Sequence, residues 1–440
     1  MPGVDAAVLA ERRRRLSAAL GPDAIAVFPA APERTRSNDV EYRYRPQSDF
    51  YYLTGFAEPG AVCVLQPGHP QYEYALFVRP RDRERETWTG RRAGIEGALT
   101  EFGANAAFPI EDLEKHLPGW IAARQNFSCA LAVDDDFARR ALGWVQHHRA
   151  ARQRSGSGPT GLLDAGPLVH ELRLFKQPEE LAAMRRAVAI SAEAHLAAMR
   201  AARPGGWEYE IEALIEYTFR RHGASGPAYP SIVAAGANAT ILHYTSNDRQ
   251  LGGEDLLLID AGAEYDCYCA DITRTFPASR RFAGRQRDIY TLVLEAQRAA
   301  IAVVRPGARF DAPHHAAVRV LVDGLVALRI LADPPEEIIA KELYKSVYMH
   351  RTSHWLGMDV HDVGLYTQAD GARVLEAGMV LTIEPGLYIA DFLDDIAPEW
   401  HGIGVRIEDD VLVTADGHEV LTAAVPTSID AIEAIRAESA

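Results

Sequence analysis

Three histidines, His350, His354 and His361, fall within twelve consecutive residues in the C-terminal third of the chain. Apolar residues stand between them, which indicates that part of this stretch is buried. A buried imidazole needs a hydrogen-bond partner or a metal ion, because an unpaired polar group is unfavourable in apolar surroundings. A structural turn would explain one such histidine. Three histidines with Asp359 and Asp362 among them favour a functional site.

Four acidic residues stand inside or at the end of apolar, strand-like runs in the same half of the chain: Asp260, Asp271, Glu384 and Glu408. A carboxylate in such a run is costly to bury unless its charge is compensated. A strand-end carboxylate that reaches solvent or pairs with an arginine would explain one case. For four cases in the half that also holds the histidine cluster, a shared cation is the simpler explanation.

Four carboxylates and one histidine form an oxygen-rich donor set, which suits two divalent ions bridged by carboxylates. Manganese fits this set best, with cobalt or zinc as alternatives. Two such ions can share a water molecule, lower its pKa and polarise a carbonyl or phosphoryl oxygen. The spacing alone leaves phosphatase and peptidase open. The acidic balance of the chain, without a Gly-rich phosphate loop, favours a carbonyl substrate.

The elements that must position these residues occur twice in the same order. Helices are predicted from Pro178 and over Tyr209–His222, Arg285–Val304 and Ala312–Leu331. An apolar strand that ends in a carboxylate and a glycine turn follows each helix pair. The first contains Asp260 and the second contains Glu384. This repetition predicts a duplicated α/β half whose pseudo-two-fold axis brings these two residues to equivalent places.

Residues 1–172 are predicted to form a separate mixed α/β domain, and residues 173–440 form the domain with the candidate site. The predicted strands of the N-terminal domain are Ala24–Phe28, Ala61–Leu65, Tyr72–Val78 and Ala130–Val133. The aromatic-rich segment Asp49–Phe56 is predicted to belong to the core, whereas Trp88 is predicted to lie in an exposed loop. Ser155–Gly161 is rich in small, turn-forming residues and is the best candidate linker.

The whole composition limits the class of protein. A chain of 440 residues accommodates about two to three domains. The net charge of −15 argues against nucleic acid as a main partner. The four cysteines have no zinc-ribbon or redox spacing, which fits a reducing compartment. No stretch reaches the roughly 18 apolar residues of a spanning helix, so no membrane contact and a cytoplasmic location are predicted.

Taken together, these residues closely resemble the aminopeptidase P family, whose catalytic domain has the pita-bread fold shared with prolidase and methionine aminopeptidase. The resemblance implies an α+β architecture: a C-terminal pita-bread (creatinase/aminopeptidase) domain with pseudo-two-fold halves, preceded by an α/β creatinase-type N-terminal domain. The segment Ser353–Gly364 is the most specific. The segments that carry the resemblance are Asp49–Phe56, Glu171–Arg173, Ile241–Tyr244, Leu258–Thr275, Ser353–Gly364, Val380–Tyr388 and Gly402–Asp410.

The resemblance also implies roles. The expected ligands of a dinuclear manganese site are Asp260, Asp271, His354, Glu384 and Glu408. Of these, Asp271 and Glu408 are expected to bridge, and Glu384 is expected to handle a proton as well. The expected catalytic residues are His243, His350, His361, Glu384 and Arg406. His243 or His361 would stabilise the oxyanion, His350 and His361 would face the substrate, Arg406 would orient Glu408 or its neighbours, and Tyr388 would shape a proline pocket.

The expected activity is that of an Xaa-Pro aminopeptidase acting on peptides with proline in second position. A prolidase is the nearest alternative, and it would need a cation such as Arg351 or Arg373 to hold the substrate carboxylate. Creatinase-like hydrolysis and an inactive scaffold are disfavoured, because all five ligand types are present. The N-terminal domain is expected to restrict the mouth of the site, with Trp88 reaching a mouth, and to build a homo-oligomer, a dimer or a tetramer.

Overall fold

The computed structural model describes residues 5–131 and 133–438. It divides into two compact units, Met1–Arg173 and Leu174–Ala440. Within the described residues, no helix combines the length and the apolar character that crossing a membrane requires. All four cysteines are buried.

The strands of the first unit are β1 Ala24–Pro29, β2 Thr35–Ser37, β3 Val40–Glu41, β4 Val62–Leu65, β5 Tyr74–Val78, β6 Ala106–Pro109, β7 Asn126–Cys129 and β8 Leu162–Asp164. Six of them form one mixed sheet with the order β6-β5-β4-β1-β7-β8, and β2 and β3 pair with each other. Its helices are α1 Ala6–Leu20, α2 Ser48–Thr54, α3 Arg83–Thr89, α4 Gly94–Thr100, α5 Leu113–Ala122, α6 Asp135–Ser155 and α7 Gly166–Leu174.

Two predictions for this unit need correction. The strand predicted over Ala130–Val133 lies earlier, at Asn126–Cys129, where it pairs in parallel with β1. Residue 132 lies outside the described residues. The Asp134 side chain caps α6, so the next helix begins shortly after this strand. Trp88 lies in the last turn of a helix, α3, and its side chain is 83% exposed.

The aromatic-rich segment Asp49–Phe56 belongs to the core, as predicted. It forms the helix α2, and every residue of that helix is buried. Gly55 ends the helix in the left-handed region, at φ 65°, which glycine adopts without steric cost. The Phe50 and Phe56 rings meet edge to face, with 6.4 Å between their centroids.

The second unit repeats one pattern of a helix pair followed by an antiparallel sheet. Its helices are α8 Pro178–Ala201, α9 Glu208–Arg221, α10 Gly284–Ala302, α11 Ala312–Ala327, α12 Pro335–Ala340 and α13 Ile429–Glu438. Its strands are β9 Gly226–Pro227, β10 Ile232–Ala235, β11 Leu256–Asp260, β12 Ala263–Tyr265, β13 Tyr268–Cys269, β14 Thr273–Pro277, β15 Thr367–Gln368, β16 Gly371–Ala372, β17 Val380–Ile383, β18 Gly386–Ile389, β19 Ile403–Arg406, β20 Asp409–Val413 and β21 His418–Val420.

Each half of the second unit supplies one three-stranded sheet that ends at the candidate site. In the first half the order is β10-β11-β14, and in the second half it is β17-β20-β21. One large hydrophobic core underlies both halves, because their helices bury apolar faces against these sheets. The four helices predicted from the periodicity are present, with no end shifted by more than four residues. The strand that ends in Asp260 and the strand that Glu384 follows also lie where they were predicted.

Candidate metal centre and active site

The predicted site residues surround one cavity of about 730 Å³ in the second unit. Its lining residues are Tyr229, Pro230, Ile232, Leu242, His243, Thr245, Asp260, Asp271, His350, Arg351, Ser353, His354, Val360, His361, Glu384, Arg406 and Glu408. All nine residues predicted as metal ligands or catalytic groups are in this set. The fold therefore brings together side chains that lie up to 165 positions apart in the chain, from residue 243 to residue 408.

The four carboxylates reach the cavity from strand ends. Asp260 is the last residue of β11, and Asp271 lies two residues before β14, the antiparallel neighbour of β11. Glu384 follows β17, and Glu408 immediately precedes β20, which pairs with β17. Strand ends leave the apolar strand residues in the core while the terminal carboxylates point out of it. This is why the sequence can interrupt apolar runs with acidic residues.

Three donors come close enough to share one ion. Ligand atoms of Asp271, His354 and Glu408 all lie within 4.8 Å of one another. His354 Nε2 is 3.4 Å from Asp271 Oδ2 and 3.5 Å from Glu384 Oε1. Its other ring nitrogen, Nδ1, donates to the carbonyl of Trp355 at 3.0 Å. A backbone bond at Nδ1 fixes the tautomer and leaves Nε2 free to bind a cation, the usual arrangement of a metal-binding histidine.

The buried carboxylates of this centre repel one another, and a bound cation would stabilise them. Burial, together with the charges of neighbouring carboxylates, raises the pKa of Glu408 well above its ordinary value. Burial likewise raises the pKa of Asp271 and, for Glu384, raises it to about 7. Burial opposes the charge on His354, but Asp271 and Glu384 outweigh it and raise the pKa of His354 to about 9. Divalent ions would remove this mutual repulsion, so the donor set fits the predicted metal chemistry.

Tyr229 belongs to this centre and was missed in the sequence analysis. Its hydroxyl lies 2.6 Å from Asp260 Oδ1 and 2.5 Å from Asp271 Oδ1. A phenol has one proton to donate, so it can satisfy both ionised carboxylates only if a proton or a cation is shared among them. Tyr229 lies in a turn before β10, and the sequence gives no periodic signal for it.

Two further residues form hydrogen bonds with the predicted metal ligands. Thr273 Oγ1 donates to Glu408 Oε2 at 2.6 Å. The backbone N–H of Asp271 donates to Asp410 Oδ2 at 3.2 Å. A sequence signal existed for Asp410, because Glu408 to Asp410 place three acids in succession at the start of an apolar strand.

Arg406, Tyr388 and His350 form a directed chain of hydrogen bonds. Arg406 donates from Nη2 to Asp260 Oδ2 at 2.6 Å and from Nη1 to the Tyr388 hydroxyl at 3.0 Å. His350 Nδ1 lies 2.7 Å from the Arg351 carbonyl and must therefore carry the proton. Its Nε2 then accepts from the Tyr388 hydroxyl at 2.8 Å. Both ring nitrogens of His350 are thus engaged by the protein, and burial lowers its pKa to about 3.

The remaining predicted residues differ in their surroundings. The His361 ring lies beside His354, with 4.2 Å between centroids, and burial lowers its pKa. The side chain of His243 is exposed within the cavity. Arg351 also lines the cavity, whereas Arg373 is 3% exposed, lies 3.8 Å from Glu376 and is not a lining residue. Arg373 is therefore not available for a substrate carboxylate.

Buried carboxylates around one imidazole, with further histidines across a cavity, form the kind of centre found in metal-dependent hydrolases. Residues 182–415 match the family described as metallopeptidase family M24. Residues 9–128 match the family described as aminopeptidase P, N-terminal domain. The chain belongs to metallopeptidase family M24, with the N-terminal domain of the aminopeptidase P type, and the predicted fold class is confirmed.

Similar proteins match over nearly the whole chain. The Xaa-Pro aminopeptidase of Escherichia coli is 44% identical over 96% of this chain and 96% of its own length. That of Haemophilus influenzae is 43% identical over 96% of this chain and 95% of its own. A Pseudomonas aeruginosa aminopeptidase structure superposes with a TM-score of 0.97 at 50% identity, covering 100% of this chain and 99% of the other.

Proposed function

We propose that this protein is an Xaa-Pro aminopeptidase, which releases the N-terminal residue from peptides with proline in the second position. The observation that carries the proposal is the cavity in which a carboxylate-rich metal site faces His243, His350 and His361. Relatives whose names specify this activity cover 96% of the chain, which supports the same activity here.

Five residues would hold two divalent ions: Asp260, Asp271, His354, Glu384 and Glu408, with Asp271 and Glu408 as the bridging pair. Manganese is the proposed metal, with cobalt or zinc as alternatives, because carboxylate oxygens with one imidazole suit such ions. When bound, the ions activate a water molecule and polarise the scissile carbonyl.

The chain's own groups supply the proton chemistry. Glu384 is the proposed acceptor of the proton of the water molecule, since it lines the cavity beside His354. His361 stays neutral because burial lowers its pKa, so it binds through a ring N–H without a positive charge. His243 and His361 flank the cavity and are the proposed donors to the oxyanion.

His350 and Arg406 act differently from each other. Because both nitrogens of His350 are engaged by Tyr388 and Arg351, it would meet the substrate with its ring face. Arg406 holds Asp260 directly. It reaches Glu408 through Thr273, whose hydroxyl accepts from Arg406 Nε at 3.1 Å. Tyr388 is 1% exposed and does not line the cavity, so its role is to connect His350 with Arg406.

A dedicated enzyme for this bond has a physical reason. The Xaa-Pro amide has no N–H, and its ring is bulky and rigid, so peptidases that align substrates as strands lose a hydrogen bond there. A trans bond is the expected substrate, since a cis bond would first have to isomerise.

We also propose that the domains run over residues 1–172 and 173–440, in agreement with the compact units Met1–Arg173 and Leu174–Ala440. The exposed Trp88 is a candidate contact residue of the N-terminal domain.

A homo-oligomer, dimer or tetramer, stays a prediction that light scattering on the purified protein can check. A cytoplasmic location also stays a prediction.

The test is hydrolysis of Arg-Pro-Pro and of Arg-Pro by metal-stripped protein, with and without added manganese. The unmodified protein is expected to release arginine from the tripeptide when manganese is present. Asp271→Ala is expected to abolish this release and to lower the bound manganese, measured by elemental analysis. Asp370→Ala, at an exposed acidic residue, is the control and should retain both.

A prolidase is the second candidate, because Arg351 lines the cavity and could hold the carboxylate of a dipeptide. Cleavage of Arg-Pro with rejection of Arg-Pro-Pro would favour this candidate. Cleavage of neither peptide by the manganese-loaded protein would contradict both.

A further inference from the structure

The segment that carries His243 contains only a short stretch of regular secondary structure. It begins as a 3-10 helix at Gly236–Thr240 and continues without regular secondary structure through residue 249. The His243 ring is exposed and, among the described residues, has no hydrogen-bond partner. The position of this ring in the cavity is therefore set by the backbone of its segment.

Glu208 holds this segment from inside the protein. It is the first residue of α9, and its side chain is fully buried. Its Oε1 accepts from the Ala235 N–H at 2.7 Å and from Asn238 Nδ2 at 3.1 Å. Its Oε2 accepts from the Tyr244 hydroxyl and from the Arg249 N–H, both at 2.8 Å.

The four donors span the whole segment. Ala235 ends the strand before it, Asn238 lies in its 3-10 helix, Tyr244 follows His243 directly, and Arg249 lies at its far end. The backbone N–H of Glu208 also donates to the Arg249 carbonyl at 3.0 Å, so two hydrogen bonds with Glu208 hold the C-terminal end of the segment. A buried carboxylate with four donors is well satisfied, and such charge-assisted bonds are among the stronger ones in proteins.

Tyr244 transmits this anchor to His243. Its ring packs against a small apolar cluster that includes Leu258 and Ile232, which also lines the cavity. Burial and the bond to Glu208 raise the pKa of the Tyr244 phenol, so the hydroxyl keeps its proton and can donate. The residue beside His243 is thus fixed at its base by packing and at its tip by Glu208.

We propose that Glu208 is a positioning residue that holds His243 at the substrate through Tyr244. This inference rests on the proposed function, because His243 matters only if the cavity binds the scissile peptide. It predicts that loosening the anchor lowers turnover while the metal ligands stay in place.

Two variants test the anchor in the full-length, manganese-loaded protein with Arg-Pro-Pro as substrate. Glu208→Gln places an amide N–H₂ against donor groups and is expected to lower kcat/KM about 10- to 100-fold, the range for displacement of a catalytic group by about an ångström. Tyr244→Phe keeps the ring and removes the contacts of the hydroxyl with Glu208 and Asp248, so a loss of about three- to tenfold is expected. Bound manganese should not change in either variant.

Tyr290→Phe is the matched control, because it also removes a phenol hydroxyl that donates a hydrogen bond, here to the Thr427 carbonyl at 2.7 Å, from a residue that does not line the cavity. It should leave kcat/KM unchanged. In a His243→Ala background, Tyr244→Phe should lower kcat/KM by less than about twofold, since the two residues act as one unit. Full multiplication of the two effects would overturn the inference, as would an equal effect of Tyr290→Phe.

Hydrogen exchange gives a readout that is independent of activity. The amides of Ala235 and Arg249 donate to Glu208, so they should exchange faster in Glu208→Gln than in the unmodified protein. Unchanged exchange at both amides would overturn the anchor itself. Inactivity of the unmodified protein on Arg-Pro-Pro would instead contradict the proposed function, whereas an active enzyme without coupling between Tyr244 and His243 would contradict this inference alone.

Discussion

A buried ion pair, Lys176–Asp362, is predicted to be one of the strongest single determinants of stability in the catalytic domain. Lys176 Nζ donates to Asp362 Oδ2 at 2.9 Å, and both side chains are only 1% exposed. Lys176 lies between α7 and α8, and Asp362 directly follows His361. The pair therefore ties the start of the catalytic domain to the segment that carries two histidines of the cavity.

Removal of one partner should cost far more than the pair itself contributes. Asp362→Asn leaves the lysine charge buried without a counter-charge, which typically destabilises a protein by about 3–5 kcal/mol. Native proteins are stable by only about 5–15 kcal/mol, so the loss would be readily measurable. The packing leaves little room for relaxation, because a Cβ on Gly357 would lie 2.1 Å from Asp362 Oδ2.

The assay is urea unfolding of the metal-free protein, with Glu419→Gln as the control. Glu419 pairs with Arg185 at the surface, where the side chains are 45% and 44% exposed, so its loss should cost roughly 0–1 kcal/mol. A double variant, Lys176→Met with Asp362→Asn, removes both charges and should recover much of the loss. If Asp362→Asn costs no more than Glu419→Gln, the reasoning is refuted.

Two further predictions concern stability. Burial lowers the pKa of His195 to about 4 from 6.5, and its Nε2 donates to the Ala261 carbonyl at 2.9 Å. Between pH 6.5 and pH 4 only the unfolded chain gains this proton. Relative to His195→Gln, the metal-free protein should therefore lose about 3 kcal/mol of unfolding free energy as the pH falls from 7 to 4. An unchanged difference would mean that the folded protein also binds the proton. Separately, Gly262→Ala places a Cβ 1.7 Å from the Ala270 carbonyl oxygen and should cost at least about 3 kcal/mol in urea unfolding. Gly253→Ala, with open space around it, should stay within about 0.5 kcal/mol, and equal costs would contradict the steric argument.

Local patterns in the sequence were sufficient for much of the fold. The helix periodicity and the repeated strand ends at Asp260 and Glu384 predicted the duplicated half, because both signals arise within one element and its turn. The strand at Asn126–Cys129 was misplaced for the opposite reason. Its place is set by parallel pairing with β1 and β8, which are distant in sequence, whereas Ala130–Val133 has the stronger local apolar character.

The candidate site was predictable where a residue type is unusual in its place, and not elsewhere. A carboxylate in an apolar strand stands out, and so does a histidine cluster. Tyr229 does not, because a tyrosine before a proline in a turn has many ordinary roles. Glu208 looks like any acidic residue that favours the first turn of a helix, and only the tertiary structure shows that it is buried among four donors.

The structure positions metal ligands and substrate histidines by different means. The carboxylates sit at strand ends, and His354 is tied to β17, since its N–H donates to Thr382 Oγ1 at 3.1 Å and its carbonyl accepts from the Thr382 N–H at 3.0 Å. The ligands are thus fixed by the sheets. In the described part of the chain, His243 and His361 themselves have no such bond to a sheet strand.

Each of these two histidines has instead a neighbour in the chain that is held by a buried charged residue. Tyr244, next to His243, is held by Glu208, and Asp362, next to His361, is held by Lys176. Changes to the sheets should therefore lower metal content and activity together. Changes to these two anchors should lower turnover while the metal remains bound. The two effects are separable because Glu208 and Lys176 fix the loops of the histidines, whereas the sheets fix the metal ligands.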